Sequence, residues 1–146
     1  METNKIFAFI FARGGSKGIP FKNIVNLNCK PLIQYIIEIA KQMDQIQKIF
    51  VSTDCEKIKA VSLENDVEVI DRPPDLATDQ SPEWLSWQHA IRTTKKKYGD
   101  FKYFLSLPTT SPLRNKSDIE KCIYALNKNV DLVLTMTEAK RNPWFN

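Results

Sequence analysis

The apolar run Ile6-Phe7-Ala8-Phe9-Ile10-Phe11 breaks directly into Ala12-Arg13-Gly14-Gly15-Ser16-Lys17-Gly18, which holds three of the chain's four glycines. A short apolar run that stops at glycines reads as a buried strand, here residues 5–11. The loop after it therefore starts at a strand's carboxyl end. Apolar runs then alternate with helical periodicity along the chain. A helix is predicted over 31–43, with Leu32, Ile36, Ile39, Ala40 and Met43 on one face and proline in its first turn. Residues 49–51 follow as a strand, 56–64 as a helix burying Ile58, Val61 and Leu63, and 67–70 as a short strand. A further helix begins at Pro82, 101–107 is a strand, and 131–137 is one more. Between these last two, Ser117-Asp118-Ile119-Glu120 has the spacing of a capping box opening a helix through Cys122, Ile123 and Leu126.

Strands alternating with helices imply an α/β fold of three layers: a doubly wound, mainly parallel sheet with helices on both faces. The glycine loop, Ser52-Thr53-Asp54, the stretch 72–81 and the stretch 108–114 each follow a predicted strand. All four should emerge at the sheet's carboxyl edge, where open α/β sheets bind ligands. Residues 1–146 read as one domain, with the Pro73-Pro74 pair as a stiff turn rather than a boundary.

The glycine loop has the chemistry of a polyphosphate cradle. Glycine permits close backbone approach and positive φ, so amides can converge on an anion, and Arg13, Lys17 and Lys22 add cationic donors. The loop matches neither G-x-x-x-x-G-K-[ST] nor G-x-G-x-x-G, which removes the main support for P-loop and dinucleotide-binding readings. Arg72 precedes two prolines, so its backbone is held extended, and its fork suits either the acceptor edge of a base or a surface pair with Asp71 or Asp75. Asp54 suits N-capping of the following helix better than a metal, and Asp79 is expected to cap or brace its loop.

The residues 12–23 resemble the opening A-R-x-x-S-K-x-x-x-x-K-N motif of the N-acylneuraminate cytidylyltransferases. Val51-Ser52-Thr53-Asp54, Arg72-Pro73 with Leu76-Ala77-Thr78-Asp79, and Thr110-Ser111-Pro112-Leu113-Arg114 resemble that family's next three motifs, in its order. The resemblance implies a Rossmann-like fold of the nucleotide-diphospho-sugar transferase type. It also implies transfer of CMP from CTP to a nine-carbon 2-keto sugar acid, with Mg2+ as cofactor. Ala12, Arg13, Gly14, Gly15, Ser16, Lys17, Lys22, Asn23, Arg72 and Ser81 are then expected around the nucleotide, with Lys22 and Arg13 at the reacting phosphates. Thr110, Ser111 and Arg114 are expected on the sugar side. Activation of a different sugar acid such as Kdo, and a non-catalytic nucleotide-binding module, are the alternatives. Two positions depart from the family: Pro108 stands where many sialate enzymes have glutamine, and Cys29 where glycine is usual. The family's late Asp-x-Asp metal pair and dimerisation arm are expected beyond Asn146, with 141–146 opening the arm. The metal ligands are thus unassigned, and a homodimer is expected of the longer protein.

Composition narrows the remaining classes. Cys29, Cys55 and Cys122 are odd in number and widely spaced, which fits reduced thiols, and the single His89 leaves histidine metal clusters and Ser-His-Asp chemistry without their parts. The net charge of +4 is mild, and its densest run, Arg92 with Lys95, Lys96 and Lys97, reads as a solvated helix end rather than a nucleic-acid surface. No stretch has the apolar length of a membrane span, and the first residues lack a signal peptide's pattern. A cytoplasmic protein acting on CTP and a keto sugar acid is the expectation.

Overall fold

The computed structural model describes residues 5–127 and 129–136, in two compact units, Met1–Arg114 and Asn115–Asn146. In the first unit the chain forms β1 (Ile6–Phe11), a short 3-10 helix (Lys22–Ile24), a hairpin of β2 (Asn26–Leu27) and β3 (Lys30–Pro31), and α1 (Leu32–Lys41). It continues through β4 (Ile46–Thr53), α2 (Glu56–Glu64), β5 (Glu68–Asp71), a second 3-10 helix (Pro74–Ala77), α3 (Glu83–Tyr98) and β6 (Tyr103–Ser106). The second unit contains α4 (Lys116–Ala125).

Four strands form one sheet in the order β5-β4-β1-β6, with all three pairings parallel. The chain steps outward from β1 to β4 and β5, then returns to place β6 on β1's other side. Right-handed crossovers put the helices of the two directions on opposite faces, and the reversal at β1 marks the ligand-binding crevice of such sheets. The pleat of β1 sorts its side chains accordingly. Phe7 and Phe9 join Phe50, Ile70 and the α3 residue Ala90 in one buried cluster, with Phe11, Tyr98, Phe101 and Phe104 packed against it. Ile6, Ala8 and Ile10 alternate with these phenylalanines and are buried as well. A strand buried on both faces accounts for the unbroken apolar run that marked it in the sequence.

Local chemistry shifts several predicted boundaries. Pro31 sits at the N-cap of α1 rather than in its first turn, because residues 30 and 31 pair with 26 and 27 in the hairpin. α4 begins two residues earlier than Ser117 requires. Asn115 is its N-cap, and the Asp118 carboxylate accepts the Asn115 N–H at 3.1 Å, so the reciprocal pair is Asn115 and Asp118 rather than Ser117 and Glu120. The strand predicted at 131–137 does not form over 131–136; residue 137 lies outside the described residues. A β-prone run becomes a strand only by pairing with an edge, and Leu132, Leu134 and Met136 remain exposed. The notional arm at 141–146 also lies outside the described residues. Among the described residues no helix is long and apolar enough to cross a membrane.

The hairpin turn carries a local strain. Asn28 and Cys29 take φ of 49° and 63°, the pair of left-handed residues that a two-residue turn needs. Asparagine tolerates this region, but a cysteine Cβ crowds the following carbonyl there. Cys29→Gly should therefore raise stability by about 1 kcal/mol, after allowing for glycine's greater freedom in the unfolded chain. Equilibrium urea unfolding of the two proteins checks this, with an unchanged m value and a higher midpoint expected.

Candidate functional site

Three strand ends of the sheet open into one cleft of about 700 Å³. After β1 come Arg13, Ser16, Lys17 and Lys22; after β5 come Arg72, Thr78, Asp79 and Ser81; after β6 come Pro108, Thr109 and Thr110. Most of the residues predicted for the nucleotide thus share one cavity. Ala12, Gly14 and Gly15 do not line it, and neither do Ser111 and Arg114 of the predicted sugar loop.

The glycines act differently from expectation. None of Gly14, Gly15 and Gly18 takes positive φ; in this segment that conformation falls on Phe21, at 50°. Gly14 is needed for closeness instead. A Cβ there would lie 2.9 Å from Cys55 Cβ and 3.2 Å from its Sγ, whereas Gly15 and Gly18 have nothing within 4 Å of such an atom. The same approach lets the Gly14 N–H donate to Asp54 Oδ1 at 3.0 Å. Asp54 accordingly does not cap α2, whose N-cap is Cys55; it ties the glycine loop to the end of β4.

Arg72 is buried and pairs with neither Asp71 nor Asp75. Its Nε donates to Ser52 Oγ at 3.1 Å and its Nη2 to the Ser52 carbonyl at 2.7 Å, and the guanidinium lies 5.6 Å from the Phe11 ring centroid. Asp71 is bound instead by Lys59 at 2.8 Å. Burial lowers the Arg72 pKa, with the Asp54 and Glu83 charges opposing that shift. An arginine stays protonated regardless, so the cleft wall holds a desolvated cation. Its Nη1 has no protein partner among the described residues.

Asn23 is also buried, and both ends of its amide are used. Its Nδ2 donates to the Arg13 carbonyl at 3.0 Å, and Thr109 donates its hydroxyl to Asn23 Oδ1 at 2.6 Å. Asn23 thereby joins the glycine loop to the loop after β6. The sequence signal named Thr110; the residue that closes this bridge is its neighbour Thr109. Ser81 supplies an orphaned group at the cleft, since its buried hydroxyl finds no partner among the described residues.

The three loop cations divide into two kinds. Arg13 Nη2 pairs with Asp79 Oδ1 at 2.6 Å and Lys17 Nζ with Asp79 Oδ2 at 2.7 Å. These hydrogen bonds, from Lys17 first and then Arg13, hold the Asp79 carboxyl below its ordinary range. Lys22, by contrast, has no carboxylate partner among the described residues. The basic run further on forms the last turn of α3, with Lys95 on Asp100 at 2.9 Å and Lys97 on Glu68 at 3.6 Å. Among the described residues no group of three His, Cys, Asp or Glu could hold a metal ion, and no disulfide forms among the cysteines.

A cationic cleft at the carboxyl edge of a parallel sheet, at its point of reversal, defines a ligand-binding protein of the open α/β class. The chain belongs to the cytidylyltransferase family, matching it over residues 7–142. It is 35% identical over 142 residues to the N-acylneuraminate cytidylyltransferase of Streptococcus agalactiae serotype V, an alignment covering 95% of this chain and 33% of that protein. It is 34% identical to the post-translational flagellin modification protein B of Campylobacter coli, over 98% of this chain and 62% of that one. The chain therefore spans between about a third and three-fifths of these relatives' lengths. In fold it resembles CMP:2-keto-3-deoxy-manno-octonic acid synthetase complexed with CTP, with a TM-score of 0.67 at 22% identity over 82% of this chain and 46% of that chain. It also resembles 4-diphosphocytidyl-2C-methyl-D-erythritol synthase, with a TM-score of 0.65 at 11% identity over 94% of this chain and 66% of that chain.

The contact at Gly14 yields a direct test. Gly14→Ala forces the glycine loop off Cys55 and should cost about 1–3 kcal/mol. Gly15→Ala, facing open space, should leave stability within about 1 kcal/mol of the parent or raise it. Parallel thermal and urea unfolding distinguishes a loop clamped at one glycine from one that is loose throughout.

Proposed function

We propose that this chain carries the nucleotide site of a cytidylyltransferase, which transfers CMP from CTP to a nine-carbon 2-keto sugar acid and releases pyrophosphate. The observation that carries the reading is the cleft itself, which gathers Arg13, Lys17, Lys22, Arg72 and Ser81 from separate strand ends. Membership of the cytidylyltransferase family supports the nucleotide, and the sialate relatives support the acceptor class.

In this reading the acceptor's anomeric hydroxyl oxygen bonds to the α-phosphorus. The α–β bridging P–O bond breaks with its electron pair leaving on pyrophosphate, and the hydroxyl proton passes to water. Such a transfer depends on positioning and charge neutralisation more than on covalent help. Arg13, Lys17, Ser16 and the loop amides hold the β and γ groups. The ammonium of Lys22, which has no carboxylate partner among the described residues, offsets charge at the α-phosphate as the new bond forms. Nη1 of Arg72 donates to an acceptor on cytosine, while its other two nitrogens remain fixed on Ser52. The buried Ser81 hydroxyl joins the same side, and Thr110 faces the acceptor.

Magnesium is proposed as the companion of the triphosphate. The described residues do not make a metal centre: Asp54 is engaged by Gly14, and Asp79 by Arg13 and Lys17. A homodimer and a cytoplasmic setting belong to the same proposal.

Pyrophosphate release from CTP in the presence of a keto sugar acid tests the reaction. Lys22→Ala should lower kcat/KM about a hundredfold or more, given roughly 1.5–3 kcal/mol for a charged hydrogen bond, with an unchanged circular dichroism spectrum. Turnover within about threefold of the parent would place Lys22 away from the reacting phosphate.

Arg72→Lys keeps the charge and loses the planar fork, so one ammonium must serve both Ser52 and the base. CTP binding should weaken, and the preference for CTP over UTP should relax, because uracil presents a donor at N3 where cytosine presents an acceptor. Calorimetric titration of both nucleotides measures this. Unchanged discrimination would leave Arg72 a purely structural brace of β4.

A further inference from the structure

Asp79 spans two cations that the proposed reaction needs for phosphate. One carboxylate oxygen meets Arg13 at 2.6 Å and the other meets Lys17 at 2.7 Å, and all three residues line the cleft. A carboxylate bridging two cationic donors through separate oxygens has the charge and donor geometry of two oxygens of one phosphate group. A phosphate entering between Arg13 and Lys17 would meet the Asp79 charge at contact distance, an arrangement that two anions cannot share without a cost. We propose that Asp79 is an internal counter-anion of the polyphosphate site, which phosphate oxygens displace from Arg13 and Lys17 when the ligand binds. This rests on the reading of the cleft as a polyphosphate site.

The surroundings make the exchange feasible and give it a structural consequence. Asp79 and Arg13 have side chains about a third exposed, and Lys17 is largely in solvent, so the pairs are screened and readily broken. The loop carrying Asp79 is held from two directions. Arg13 Nη1 donates to the Ala77 carbonyl at 3.3 Å, and on the other side Ser86 of α3 donates its hydroxyl to the Leu76 carbonyl at 3.0 Å. Displacing Asp79 loosens the first attachment and leaves the second intact. Residues 77–81 are then free to rearrange from a fixed point at Leu76. The loop that carries Ser81 becomes adjustable only once phosphate has arrived, which couples the phosphate end of the cleft to the side on which the base is proposed to lie.

The test is calorimetric titration of inorganic pyrophosphate and tripolyphosphate into the 146-residue chain, its Asp79→Asn variant and its Asp75→Asn variant. Asp79→Asn preserves shape and removes the competing charge, and should tighten anion binding about five- to tenfold. Asp75→Asn removes the same charge four residues away, at an exposed position outside the cleft lining, and should change affinity by less than about twofold. Equal affinities for the parent and Asp79→Asn, or weaker binding by the variant, would overturn the counter-anion while leaving the polyphosphate site standing. An equal gain in both variants would reduce the effect to overall charge and overturn it as well. Absence of binding to every protein would remove the polyphosphate reading together with the proposal. Hydrogen exchange on the unaltered chain keeps the idea open to refutation should the variant misfold. Amides of 77–81 should exchange faster when pyrophosphate is added, and slower or unchanged exchange would show that Asp79 stays in place.

Discussion

The carbonyl oxygen of Ser52 accepts two hydrogen bonds, from the Ala12 N–H at 3.0 Å and from Arg72 Nη2 at 2.7 Å, and the site is organised around it. Its neighbours extend the same junction. Thr53 receives the Arg72 N–H on its carbonyl at 2.8 Å, and Asp54 receives the Gly14 N–H at 3.0 Å. Ser52, Thr53 and Asp54, where β4 ends, therefore hold both the start of the glycine loop and the start of the arginine loop. A carbonyl has two lone pairs, and a buried one at a strand end uses both only when two partners converge on it. The end of β4, an inner strand between β5 and β1, thereby fixes, within hydrogen-bond tolerances, where two ligand-facing segments leave the sheet.

Burying Arg72 makes sense only in this setting. A guanidinium removed from water is costly unless its donors are satisfied and an opposing charge lies near. Ser52 satisfies two nitrogens, Phe11 offers the face of its ring, and the Asp54 and Glu83 charges act against desolvation. The residual donor, Nη1, belongs to a group whose position is already fixed. Less conformational freedom remains to be lost when a ligand takes that donor, which is the advantage of a preorganised site. The sequence offers a pre-proline backbone as the source of this rigidity; in the structure the side chain's own bonds to Ser52 fix the guanidinium itself.

What could be read from the sequence was what depends on short-range pattern. Six apolar residues, five buried and Phe11 half-buried, announce β1, and the four loops that follow predicted strands do lie at the sheet's carboxyl edge. The hairpin at 26–31 was missed because its strands are two residues long, and its turn uses Asn28 and Cys29 rather than glycine. The capping signal before α4 was present, but two equally spaced choices overlapped, and Asn115 outcompeted Ser117. The run at 131–136 has a strand's composition without a paired edge. Pairings distant in sequence left no local trace at all. Nothing near Asp79 distinguishes a loop brace from a partner of Arg13 and Lys17, and nothing near Asn23 announces Thr109.

Those distant pairings decide how charge is distributed in the cleft. Arg13, Lys17 and Lys22 look equivalent in the sequence, as three cations around three glycines. The fold makes them unequal by bringing one carboxylate, Asp79, onto the first two and leaving Lys22 without a partner among the described residues. A cation already neutralised contributes little net field until its partner is displaced, whereas an unpaired one acts on any anion that approaches. The cleft therefore presents an incoming polyphosphate with a half-buried positive charge at Lys22 that has no carboxylate partner among the described residues, a fixed and desolvated one at Arg72, and two more that become available by exchange. Charge that becomes available only by exchange favours a ligand able to meet Arg13 and Lys17 together. An anion with one acceptor atom can replace only one of Asp79's contacts, whereas a phosphate group with two oxygens at the carboxylate's spacing can replace both, so the pairing discriminates by the number and spacing of negative oxygens rather than by charge alone.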